Sequence, residues 1–276
     1  MEQGSTARTP TKDVLVLPLV AGGIAGAIFA VLYLFAHLRS VVIFYSDFIP
    51  VHTVMEAFTI SVSVAISVVT WLSFRRTGIT TTLLFSGTFL SVAILHTAHT
   101  LTYPGMPGDL GSGGTQRELY LWVLARITFG AMLLAIGVMI VRKTVLSAKP
   151  LLVMTVFTLY SIFVVAFVMA FAGDLPTLLV PGEGLTDLKL GAEALTAAMF
   201  MAGIALYLKA AKATVAWTYP LIASALAVGV FEETSFSLYG SVYDAFSLLG
   251  HLFGFASFGL VFLAFFVPRR PSKFAL

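Results

Sequence analysis

Runs of about twenty apolar residues, the length that carries a helix across a hydrocarbon core, alternate with short polar breaks along the whole chain. Eight such runs stand out: Val14–Ala36, Val51–Phe74, Thr80–Tyr103, Leu119–Val141, Pro150–Ala172, Leu190–Leu208, Trp217–Leu238 and Ala245–Val267. Two breaks are rich in turn-forming residues, Pro104–Thr115 (PGMPGDLGSGGT) and Gly173–Asp187. No internal repeat or low-complexity segment accompanies them. The pattern predicts an all-α polytopic membrane protein, a bundle of eight transmembrane helices over residues 13–268, with an N-terminal tail at 1–12 and a C-terminal tail at 269–276.

Composition sharpens this picture. Of 276 residues, 59% are hydrophobic and 11% charged, far from the roughly 25% charged of soluble domains. The lipid bilayer is therefore the first expected partner, in the cell membrane. The formal charge of +3 does not point to nucleic acid, because the basic residues sit in short groups between spans instead of along one face. There are no cysteines, so disulfides and thiolate metal sites are excluded and any metal must take nitrogen or oxygen ligands. The N-terminus lacks the layout of a cleaved signal peptide, and the first span is expected to be retained.

Basic residues also set the orientation, since cytoplasmic loops carry the excess of Lys and Arg. With the N-terminus inside, the inner segments hold Arg8, Lys12, Arg75, Arg76, Arg142, Lys143, Lys149, Lys209, Lys212, Arg269, Arg270 and Lys273, twelve of sixteen. The outer side keeps Arg39, Arg117, Arg126 and Lys189, and its segment Gly173–Lys189 is acidic through Asp174, Glu183 and Asp187. Both termini are expected to be cytoplasmic.

Ionisable residues inside a span are expensive and mark functional positions. His52 and Glu56 share a face of the second span at i, i+4, near its outer end. His96 and His99 close the third span, with Tyr103 a turn later. Trp122 and Arg126 lie one turn apart on the fourth, Glu193 at the start of the sixth, Glu232 and Glu233 toward the end of the seventh, and Ser247 with His251 at the start of the eighth. Nine ionisable residues from six spans thus share the outer half, and the inner half has none between its boundary basics.

Imidazoles and carboxylates without thiolates suit a transition metal ion such as Zn, Cu or Fe. His52, His99 and His251 are the expected ligands, His96 a further one, and Glu56 and Glu233 either ligands or orienters. Tyr103, Trp122, Arg126, Glu193, Glu232 and Ser247 form the expected supporting set. Arg126 has donors only, so it is expected to pair with an acid of the sixth or seventh span. His37, beside Arg39 and without a partner on its helical face, reads as solvated. Phe253, Phe255, Phe258 and Phe262 read as packing or lipid-facing residues.

Three stretches carry a family likeness: VHTVMEAF (Val51–Phe58), LHTAHTLTYPGM (Leu95–Met106) followed by LWVLAR (Leu121–Arg126), and EETSFSLYGSVYDAFSLLGHLF (Glu232–Phe253). In order and spacing, over nearly the whole chain, they resemble the third type of the MASE group of bacterial and archaeal membrane-associated sensor domains. The resemblance marks His52, Glu56, His99, Tyr103, Trp122, Arg126, Glu233 and His251 as family-pattern positions. His96 stands where the family usually has Asp, which makes the site richer in nitrogen, and Pro104 stands where it usually has Lys. Family members continue into cytoplasmic signalling modules, whereas this chain ends some eight residues after its last span. The resemblance then implies a stand-alone relative, a receptor subunit that signals through a separate partner or a homodimer, or a separated sensor module.

The leading expectation is a receptor-like sensor that binds a metal, or a small ligand through one, from the extracytoplasmic side without turnover. A membrane-embedded metal-dependent hydrolase acting on lipid, with Glu56 or Glu233 as general base, is the alternative. A haem-binding redox protein with two facing histidines is a third. A transporter fits less well, because no polar path crosses the inner half.

Overall fold

A computed structural model describes residues 12–35, 43–106, 114–145, 147, 149–213 and 217–266. His37, Arg39, residues 107–113 and nearly all of both tails lie outside the described residues. Eight helices occur among the described residues: α1 (Lys12–Leu34), α2 (Tyr45–Thr77), α3 (Thr80–Thr102), α4 (Thr115–Arg142), α5 (Pro150–Phe171), α6 (Asp187–Ala213), α7 (Thr218–Phe236) and α8 (Ala245–Phe266). Seven of these, all except α7, are long and apolar enough to cross a membrane. α7 falls short because it opens with Thr-Tyr-Pro and ends with Glu232 and Glu233. The chain is thus a multi-pass, all-α membrane protein.

Local chemistry explains several helix ends. Asp47 in the first turn of α2 and Arg75 and Arg76 in its last turn complement the helix dipole. Gly78 then ends α2 in the left-handed region at φ 68°, donating its N–H to the Phe74 carbonyl. Pro50 is accommodated in the second turn of this helix, which starts earlier than the apolar run that predicts it. Pro150 opens α5, where its fixed φ suits the first helical position. Between α5 and α6, the predicted turn-rich stretch contains a minimal hairpin in which Leu179–Val180 pairs with Gly184–Leu185.

Six helices close a ring. α2 packs on α3, α3 on α4, α4 on α6, α6 on α7, α7 on α8, and α8 returns to α2. The other two are peripheral: α1 lies against α7, and α5 against α3 and α4. Lipid is as apolar as a leucine core, so association here depends on close packing and buried polar bonds more than on expulsion of water. Gly26 lets α1 approach α7, since a Cβ there would sit 2.9 Å from the Phe231 ring. Ser67 and Ser86 each donate a hydroxyl proton to the other's backbone carbonyl at 2.9 Å, tying α2 to α3.

The ring interior is split in two. One half holds a hydrophobic cluster to which every ring helix contributes, including Ile66, Phe89, Phe129, Phe200, Leu226 and Phe258, with buried Ser and Thr hydroxyls between but no buried charge among the described residues. The other half, predicted to be the outer one, holds Tyr103, Trp122, Phe236, Tyr239 and Phe246 together with the buried ionisable groups.

Candidate metal centre

Four side chains from three ring helices converge in the polar half. His52 and Glu56 come from α2, His99 from α3 and His251 from α8; one donor atom from each lies within 4.8 Å of all the others, and all four residues are buried. The i, i+4 spacing on α2 puts His52 and Glu56 on one face, and the α2–α3 and α2–α8 contacts bring the other two imidazoles to it.

Backbone acceptors set the tautomers of two of the rings. His99 donates from Nδ1 to the Glu118 carbonyl at 3.0 Å, and His251 donates from Nδ1 to the Ser247 carbonyl at 2.8 Å. A carbonyl has no proton to give, so in each neutral ring the lone pair sits on Nε2. Both Nε2 atoms are buried without a hydrogen-bond partner among the described residues, as are both ring nitrogens of His52. The His251 Nε2 lies 3.9 Å from Glu56 Oε1, close to the separation of two ligands bonded to one ion at about 2.0–2.2 Å. Glu56 itself is aimed by His96, whose Nδ1 donates to Glu56 Oε2 at 2.7 Å. His96 therefore stands outside the four-donor group, as the partner that orients its carboxylate.

Aromatic rings wall the group. Tyr103 stacks on His52 with ring centroids 3.9 Å apart. Trp122 lies 5.5, 5.4 and 5.7 Å from the rings of His96, His99 and His251. The connection between α7 and α8 covers this end. Tyr103 donates to the Val242 carbonyl at 2.7 Å, Tyr243 donates to the Pro104 carbonyl at 2.8 Å, and Ser247 also donates to Val242 at 2.7 Å. Asp244 braces the turn by accepting from the backbone N–H groups of Gly240, Ser241 and Ser247. Burial raises the Asp244 pKa, and those N–H donors oppose the rise.

Beside the donors lies a cavity of about 10 Å³, lined by His99, His251, Glu118 and Trp122 among others. That is room for about one water molecule.

A second buried cluster adjoins the first. Arg126 donates from Nε to Glu233 and from Nη2 to Glu232, each at 2.7 Å, which is the expected pairing with the seventh span. Its guanidinium carbon also lies 5.1 Å from the Phe200 ring and 5.4 Å from that of Trp122. Glu233, a ligand candidate from sequence, is thus engaged by Arg126. Glu193 is held by Lys189 one helical turn earlier. Lys189, counted among the outer-side basic residues and placed just before the sixth apolar run, lies in the first turn of α6 with its side chain fully buried.

Sequence reasoning also passed over Glu118, which is buried with its Oε2 3.4 Å from His99 Nδ1. Its signal was present: Glu118, Trp122 and Arg126 repeat at four-residue spacing on one face of α4. Asp244 lies in a break between runs, and no helical periodicity points to it.

The site residues all fall within one continuous match, over residues 43–269, to the MASE3 membrane-associated sensor domain. The chain belongs to that family. The match covers α2 to α8, so the whole ring is sensor domain, while α1 precedes the matched region. No curated protein and no solved structure shows significant similarity to this sensor domain.

Proposed function

We propose that this membrane sensor domain binds a transition metal ion through His52, Glu56, His99 and His251. The carrying observation is the convergence of four buried donors within 4.8 Å, with the Nε2 lone pairs of His99 and His251 left free by backbone bonds at Nδ1. That is how proteins present imidazole to a metal. Charge accounting agrees. In this half Glu56, Glu118, Glu193, Glu232, Glu233 and Asp244 are buried, against two buried cations among the described residues, Arg126 and Lys189, and a divalent ion offsets part of any excess of ionised carboxylates. Zn, Cu and Fe all accept this donor set.

In the proposed topology all eight helices span the cell membrane with both termini cytoplasmic, so the site faces the extracytoplasmic side. α7 spans despite its two glutamates because ring neighbours and α1 cover it. The bound ion links α2, α3 and α8, and a change in occupancy shifts these three helices relative to the Arg126-linked pair α4 and α7. Their cytoplasmic ends pass that shift to a separate signalling partner or a second copy. We infer binding without turnover. The cavity beside the donors, with room for about one water, fits a small ligand better than a lipid chain or a haem, which favours the sensor.

Elemental analysis of the full-length protein, purified in detergent and dialysed against Zn, Cu or Fe salts, tests the reading. The expected result is one equivalent of metal in the wild type and loss of it in His99→Ala and His251→Ala. Wild-type protein that takes up none of the three overturns it.

A further inference from the structure

The small cavity touches the proposed metal donors and a second, different set of buried groups. Its lining includes His99 and His251 on one side and Glu118 and Trp122 on the other. Among these, the Trp122 Nε1–H and the Glu118 Oε1 are buried and without a hydrogen-bond partner among the described residues. One is a donor only and the other, when ionised, an acceptor only. Buried polar groups without partners are costly and call for one. Neither contributes to the metal group, whose members are His52, Glu56, His99 and His251. Glu118 is also kept beside the site by its own backbone, since its carbonyl receives the His99 Nδ1 proton.

A ligand seated here reaches an ion held by His99 and His251, receives a hydrogen bond from Trp122 and, when it carries a proton, donates to Glu118. The cavity, at about 10 Å³, limits it to roughly the size of one water. Phe236, Leu119 and Val242 supply apolar walls, which favour a neutral ligand over a hydrated anion.

We propose that this cavity is the seat of an exchangeable metal ligand no larger than a diatomic molecule, with water as its resting occupant and Trp122 and Glu118 as its recognition groups. The proposal rests on the metal reading above and adds what the metal senses. Catalytic zinc and non-haem iron sites keep an open position in the same way; here the open position is walled to the size of its ligand.

The test uses the full chain in detergent, loaded anaerobically with Fe²⁺ and titrated with nitric oxide, with iron content and EPR read together. The expected outcome is stoichiometric iron, a ferrous-nitrosyl signal, and no spectral change with imidazole, which is too large for the cavity. Trp122→Phe is expected to weaken nitric oxide binding about tenfold per bound iron, the loss of one hydrogen bond. Val242→Leu, which fills the cavity without removing a polar group, is expected to abolish the nitrosyl signal and keep the iron. Iron bound with no nitrosyl signal, imidazole binding as well as nitric oxide, or equal nitric oxide affinity in wild type and both variants overturns the proposal and leaves the metal reading standing. Failure to bind iron, zinc or copper overturns both.

Discussion

His99 and Glu118 are joined by a hydrogen bond from an imidazole Nδ1 to a main-chain carbonyl, at 3.0 Å. Because the acceptor is backbone, it cannot be titrated away, and the ring presents Nε2 permanently. In zinc-loaded protein with ¹⁵N-labelled histidine, the metal-bound nitrogen of His99 and of His251 is expected to be Nε2, with the Nδ1 proton retained. Nδ1 coordination in the NMR spectrum of either ring would contradict the arrangement.

His96 acts on the site through Glu56, to whose Oε2 it donates at 2.7 Å. Outer partners of this kind are worth roughly 10–100-fold in metal affinity. His96→Ala is expected to lose affinity within that range in a chelator competition, and His99→Ala to lose more. Equal losses would make His96 a ligand.

Arg126 forks onto Glu232 and Glu233 with both residues of the acidic pair buried. Arg126→Ala leaves two unpaired carboxylates and is expected to cost about 3–5 kcal/mol. Arg126→Lys keeps a charge but cannot fork, and is expected to cost about 1–3 kcal/mol. A triple change of Arg126→Met, Glu232→Gln and Glu233→Gln is expected to recover much of the loss. Thermal unfolding in detergent ranks the four proteins.

Gly254 leaves room for the carboxylate of Glu232, since a Cβ there would lie 2.7 Å from Glu232 Oε1. Arg126 pins that carboxylate, so it cannot swing aside freely. Gly254→Ala is expected to destabilise by about 1–3 kcal/mol. Gly191→Ala, with nothing near its would-be Cβ, serves as the control and is expected to be neutral or slightly stabilising. A Gly254→Ala protein as stable as that control would contradict the packing.

For the topology, a cysteine replacing exposed Glu183 at the hairpin between α5 and α6 is expected to react with an impermeant maleimide in intact cells. One replacing Arg76 at the end of α2 is expected to react only after permeabilisation. The absence of native cysteines makes the labelling specific, and the reverse pattern inverts the proposed orientation.

Much of this was legible before any coordinates. Apolar run length locates the helices, because the bilayer thickness imposes it, and in-span ionisable residues mark one half of the bundle. Spacing alone places His52 over Glu56. What spacing does not carry is which helices face each other. Nothing in Val14–Ala36 or Pro150–Ala172 shows that these two runs stand outside a six-membered ring, although their freedom from in-span charge is consistent with it. Likewise, His96 and His99 lie three residues apart, but the angle between them at 100° per residue sends one to Glu56 and the other to the donor group. Hydropathy starts the sixth run at Leu190, beyond Lys189, whereas helix α6 starts at Asp187 and buries that side chain.

The polarity of α7 bears on how the protein is made. Charged residues within a membrane helix are expensive, less so near its ends than at its centre, and α7 carries two adjacent glutamates in its last turns. Their counter-charge, Arg126, belongs to α4, which leaves the ribosome earlier. In the proposed eight-span topology, the seventh helix finds its counter-charge on a segment synthesised about a hundred residues before it. The guanidinium is equally ill at ease in lipid until α7 arrives. In that topology a chain ending between α4 and α7 would leave Arg126 without either of its two carboxylate partners.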